Sequence, residues 1–166
     1  MFSHDLVCDI LEYIHKNINR EITIDELANR LYFDKTYIMK RFKKEIGYTI
    51  HDYINMMRIF NSIELYKYDN YILSIALKNG FNSIEYYSEM FKKIIGVNPL
   101  KYKKFINRSF DITDNEINLI LNNINKCNNL RVFTDNYLIR RKPTMKMEKV
   151  LKLWGRIGNY SFLHYL

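Results

Sequence analysis

The chain has 166 residues, 48% apolar and 27% charged, a balance that suits one folded domain or two small ones and is too apolar for a disordered polymer. Lysine and arginine number 26 against 18 acids, and the net +8 favours a polyanionic partner, nucleic acid or an acidic membrane surface. Five glycines and two prolines are few for a multi-turn β-sandwich, no apolar run reaches membrane-spanning length, and two isolated cysteines with four scattered histidines argue against a disulfide framework, a zinc site or a catalytic triad.

The opening MFSHDLVCDILEY carries acids inside its apolar stretch and has no cleavage-site pattern. It reads as a helix from Asp5 to Asn17 with Leu6, Ile10 and Ile14 facing a core, and Cys8 and Cys127 read as reduced core thiols of a cytosolic protein. Thr23-Ile-Asp-Glu26 is a capping box for a helix through Leu31. Asp34 caps a second helix from about Lys35 to Glu45, whose apolar side is Ile38, Phe42 and Ile46. Thr49 caps a long helix from Ile50 to about Lys67, with Tyr53, Ile54, Met57 and Phe60 on one side. Asn70 or Tyr71 opens a helix to Asn79, Gly80 supplies a turn, and Ser83 caps a helix that buries Tyr87, Phe91 and Ile94 or Ile95. Met56, Met57 and Met90 are core filler, and Arg58, on the long helix, is expected to brace the structure.

Two of these stretches are copies of one unit. RFKKEIG at 41–47 returns as MFKKIIG at 90–96, and Tyr53 and Tyr102 keep the same offset of 49. Leu27-Ala28 and Ile75-Ala76 match at offset 48, as do Phe33 and Phe81, so one residue is added in the second turn. Each copy reads as short helix, tight turn, longer helix: helix-turn-helix anatomy stated twice.

The second copy carries Ile75-Ala76, Gly80-Phe81, Tyr86-Tyr87, Phe91-Lys92-Lys93 and Gly96-x-x-Pro99-x-x-Tyr102 at fixed spacings. With them, residues 5–105 resemble the DNA-binding domain of the AraC/XylS family of bacterial transcription activators. The resemblance implies a mainly α fold of two helix-turn-helix subdomains (about 23–46 and 71–95) joined by a linker helix (about 50–68), within a DNA-binding domain of residues 1–106. It also implies two recognition helices entering the major groove one DNA turn apart. Three departures stand out. The first turn has Tyr32 where the family usually has Gly, and Tyr32 must avoid a left-handed conformation or meet its strain. The second recognition helix has Glu89 where the family usually has Arg. The family's usual N-terminal effector domain has no counterpart in these residues.

A step of 100° per residue from buried Ile38 turns Thr36, Lys40 and Lys43 outward, with Met39 flanking. Lys40 is suited to guanine O6 and N7, and Thr36 and Met39 to a thymine methyl. Lys35, Lys43 and Lys44 suit phosphates. The second helix turns out Glu85, Tyr86 and Glu89 as base-reading candidates, with Lys92 and Lys93 for phosphates; Glu can accept from cytosine N4 but repels the backbone.

Residues 107–166 lie outside the resemblance and hold ten basic against five acidic residues. Thr113-Asp-Asn-Glu116 is a capping box, followed by the stripe Ile117, Ile120, Leu121 and Ile124. VFTDNYLI at 132–139 reads as a small hairpin about Asp135-Asn136. After Arg140-Arg141-Lys142-Pro143, a second helical stripe runs through Met147, Val150, Leu151 and Trp154. The expectation is a small α or α+β extension that docks on residues 1–106 or mediates self-association, rather than reading bases.

Together these readings predict a cytoplasmic, nucleoid-associated bacterial regulator rather than an enzyme, with no cofactor and no metal. Its partners would be duplex DNA and RNA polymerase, not a membrane, and activation is favoured because the family mostly activates. The competing expectation is an interaction module that keeps the fold, binds DNA weakly, and modulates another regulator through its tail.

Overall fold

The computed structural model describes residues 5–107 and 112–141; they form eight helices and no strand. The helices are α1 (Leu6–Asn17), α2 (Ile24–Leu31), α3 (Lys35–Ile46), α4 (Ile50–Leu65), α5 (Ile72–Lys78), α6 (Ile84–Ile95), α7 (Pro99–Ile106) and α8 (Asp114–Arg141). Most starts are fixed by a local cap. Thr23 accepts the Glu26 N–H at 3.1 Å, Thr49 the Asp52 N–H at 3.0 Å and Ser83 the Tyr86 N–H at 3.1 Å. Asp5 accepts the N–H groups of Val7 and Cys8, and Asp34 those of Thr36 and Tyr37.

Helix α4 is shared between two cores. Its first half adds Tyr53, Ile54 and Met57 to a cluster with Leu11, Ile14, Leu27, Ile38 and Phe42. Its second half adds Ile59, Ile63 and Tyr66 to a cluster with Ile75, Phe81, Tyr87, Phe91 and Tyr102. The sequence repeat is therefore a repeat of packing: Tyr53 meets Phe42 with ring centroids 5.5 Å apart, and Tyr102 meets Phe91 at 5.3 Å. Gly47 and Gly96 both close their helices in the left-handed conformation, at φ 85° and 99°.

The turns of the two units also correspond, and here chemistry differs. Tyr32 and Gly80 occupy matching places and both have positive φ, 58° and 78°. Tyr32 is the one residue other than glycine to do so among the described residues. Of the two outcomes open to it, Tyr32 adopts the strained one. Its side chain is 93% exposed, so no packing compensates. Replacing Tyr32 by Gly should therefore raise stability by about 1 kcal/mol, the strain a side chain meets in this conformation. A thermal melt of the Tyr32→Gly variant showing no gain, or a loss, would contradict that.

A brace at the end of α1 ties the two units together. Arg58 is buried on α4 and donates through Nε to the Ile18 carbonyl at 2.8 Å and through Nη2 to that of Arg20. Its guanidinium lies over the Phe81 ring, 5.7 Å from the centroid, so it joins both units. Arg58 thus braces the structure, as expected of it.

Helix α8 corrects the hairpin expected at 132–139, for that stretch is helical throughout. Its inner face runs through Ile120, Ile124, Cys127, Leu130, Thr134, Tyr137 and Leu138, a spacing of three and four that continues the stripe begun at Ile117. Asn136 points outward, where a turn-favouring residue costs a helix only a few tenths of a kcal/mol. The burial of this face on α1, α4 and α6 prevails over the local turn signal. Residues 114–141 thus dock on the two units, and the Thr113–Glu116 box forms in both directions. The second stripe, Met147 to Trp154, and Lys142 fall outside the described residues.

Candidate nucleic-acid interface

Helix α3 turns a basic ridge to solvent. Ile38, Phe42 and Ile46 are buried, and Thr36, Met39, Lys40, Lys43 and Lys44 are exposed, as a helix with that apolar spacing requires. Lys40 and Lys44 are one helical turn apart and share a face. The other cations of this helix are held within the protein. Lys35 pairs with Asp25 across the turn, and Arg41 pairs with Glu45 at 3.1 Å. Among the described residues, Lys40, Lys43 and Lys44 have no ion-pair partner. Lys35, expected to serve a phosphate, would first have to leave Asp25.

The N-terminal end of this ridge is flanked by aromatic rings. Phe33 and Tyr37 stack with centroids 5.6 Å apart, and each is about half exposed. Neither is among the candidates that the helical step from Ile38 singles out. Their i, i+4 spacing is the signal by which they could be found.

Helix α6 has the same pitch and a different surface. Glu85, Tyr86, Glu89, Lys92 and Lys93 are exposed, and Tyr87, Met90, Phe91 and Ile95 are buried. The Glu85 carboxylate folds back on its own helix start. Its backbone N–H and the Ser83 hydroxyl, 2.8 Å away, hold its pKa below the ordinary range. The Tyr86 hydroxyl is tied to α4, accepting from Asn55 Nδ2 at 2.9 Å and lying 3.3 Å from His51 Nε2. Two of the three base-reading candidates on α6 thus have partners within the protein, and Glu89 faces solvent. Helix α3 thus presents Lys40, Lys43 and Lys44 without ion-pair partners among the described residues, whereas α6 mixes Glu85 and Glu89 with Lys92 and Lys93.

No helix of the described residues is long and apolar enough to cross a membrane, and no group of three or more His, Cys, Asp or Glu side chains among them could hold a metal ion.

Known proteins share the sequence pattern and the fold of this chain. A family described as a helix-turn-helix domain matches residues 27–104. The TetD protein of transposon Tn10 from Escherichia coli is 33% identical over 104 residues, covering 62% of this chain and 75% of TetD. The transcriptional regulatory protein HptR of Staphylococcus aureus is 32% identical over 98 residues, and the match covers 59% of this chain and 39% of HptR. The chain therefore spans well under half the length of that relative. Among solved structures, the C-terminal domain of AraT, a response regulator from Geobacillus stearothermophilus, is 26% identical with a TM-score of 0.59, covering 66% of this chain and 92% of that domain. The DNA-binding domain of the global transcriptional factor AdpA, in complex with a target DNA, is 18% identical with a TM-score of 0.58, and covers 63% of this chain and 95% of that one. At that identity the likeness to AdpA is one of fold.

Proposed function

The chain belongs to the AraC-type helix-turn-helix family of DNA-binding transcriptional regulators, and on that premise we propose that α3 enters the major groove of duplex DNA and supplies most of the affinity. The observation that carries this reading is the exposed row Lys40, Lys43 and Lys44, without acidic partners among the described residues on a helix whose other cations are paired. Lys40 donates to guanine O6 and N7, Thr36 and Met39 contact a thymine methyl, and Lys43 and Lys44 neutralise phosphates. Helix α6 enters a second groove segment about 10 base pairs away on the same face, with Lys92 and Lys93 on the backbone. One chain then covers an asymmetric site without dimerising. The consequence is recruitment or blocking of RNA polymerase by a cytoplasmic regulator, with activation the favoured outcome.

Binding measured against salt tests this directly. With four or five phosphates neutralised, log affinity for duplex DNA should fall against log salt with a slope of about −4. Replacing Lys43 or Lys44 by Ala should weaken all sequences alike and reduce that slope by about 1 each. The acidic surface of α6 favours a second reading, a protein-interaction module that retains the fold. That reading predicts no saturable binding to any duplex, and such a result would end the first.

A further inference from the structure

Helix α8 touches the C-terminal ends of both recognition helices. Near its start, Asn123 Nδ2 donates to the carbonyl of Ile95, the last residue of α6, at 3.0 Å. Leu119 closes over Gly96, so tightly that a Cβ there would lie 2.6 Å from its side chain. Near its other end, the Tyr137 hydroxyl lies 3.4 Å from a carboxylate oxygen of Glu45, in the last turn of α3. Arg141 bridges Glu45 at 3.9 Å and Asp5, the cap of α1, at 2.6 Å. Asn123 and Tyr137 are separated by about 21 Å along a helix at 1.5 Å per residue. Between them, Thr134 accepts from the buried Tyr53 hydroxyl at 3.1 Å, and Arg131 lies over the Phe60 ring. Ile120 and Ile124 enter the core of the second unit, and Cys127, Leu130 and Leu138 that of the first.

We propose that α8 is a positioning strut for DNA recognition, fixing the separation and rotation of α3 relative to α6 so that target sites are accepted at one spacing only. This rests on the two-segment reading above. Two modules joined rigidly gain most when the sites match their separation, and lose that gain when the match fails. The units are already joined by α4 and by the junction of Arg58 and Gly80 with the end of α1, and α8 adds a link across the C-terminal ends of α3 and α6 that neither of those supplies.

The test uses the full chain and a duplex selected from random sequence by the wild-type protein. Binding is measured to that duplex, to the same duplex with one base pair inserted between the two contacted segments, and to a scrambled duplex. Wild type should lose about tenfold or more on insertion, because the second segment is then mismatched to a rigid reader. A Leu119→Ala/Asn123→Ala variant releases the α6 end, and a Tyr137→Phe/Arg141→Ala variant releases the α3 end. Each, with its helix content confirmed by circular dichroism, should bind the selected duplex about tenfold more weakly and lose about threefold or less on insertion, with scrambled-duplex binding unchanged. Changed fold stability alone would not alter spacing tolerance. An insertion penalty in both variants equal to that of wild type overturns the strut. Wild type indifferent to insertion overturns the two-segment reading, and the strut with it.

Discussion

Replacing Gly80 by alanine is expected to cost about 2–5 kcal/mol, the sum of left-handed strain on a side chain and overpacking of a closed contact. The turn containing Gly80 rests against the end of α1. A Cβ at this position would stand 2.8 Å from the backbone carbon of Asn19 and 3.0 Å from the carbonyl oxygens of Ile18 and Asn19. Backbone cannot rotate away as a side chain tip can, and Arg58 holds the same Ile18 carbonyl from α4. The strain should therefore spread into the junction of both units. Gly47 provides the control, since it is equally left-handed but has nothing within 4 Å of the place a methyl group would take. Gly47→Ala should cost only about 1–2 kcal/mol. Equal losses in the two variants, measured by urea unfolding, would show that the contact with Asn19 does not matter.

Stability should also fall on mild acidification, through His15. This ring is buried between α1 and α4, 2.8 Å from the Tyr53 hydroxyl, and burial pushes its pKa from 6.5 down to about 3. The native state keeps the ring neutral, whereas the unfolded chain takes up a proton below pH 6.5. The stability it contributes is thus complete above pH 6.5 and is lost as pH falls towards 3. Each pH unit in that window is worth about 1.4 kcal/mol, so roughly 2 kcal/mol should be gone by pH 5. Carboxylates whose pKa values are lowered in the native state, Asp5 and Glu26 among them, add their losses at lower pH. Urea unfolding at pH 7 and pH 5 on wild type and His15→Gln isolates the histidine. The variant should lose less between the two pH values, and an identical loss in both would refute the assignment.

How far the sequence foretells this molecule depends on the range of the interactions concerned. Thr23, Asp34, Thr49 and Ser83 cap helices by bonding to N–H groups two or three residues away, so those starts are legible locally. The repeat makes the pairing of Tyr53 with Phe42 and Tyr102 with Phe91 legible as well, because one pattern is written twice. At Tyr32 the sequence leaves avoidance and strain both open, and the structure takes the strained conformation that it shares with its counterpart Gly80. What escapes is set by distant contacts. Asp135-Asn136 carries a genuine turn signal, and only the burial of Thr134, Tyr137 and Leu138 against other helices keeps the chain helical there. The loss of Lys35 to Asp25, and of the Tyr86 hydroxyl to Asn55 on α4, reduces the candidate site in ways no helical projection reveals.

Whether α3 reads DNA through the face bearing Lys40 is decided by random-site selection with wild type and Lys40→Ala, followed by affinity measurements on both selected duplexes. The variant should lose about 1–3 kcal/mol on the wild-type site and select a motif relaxed at one base pair, with the rest retained. An unchanged motif bound with unchanged affinity would contradict the assignment of that face.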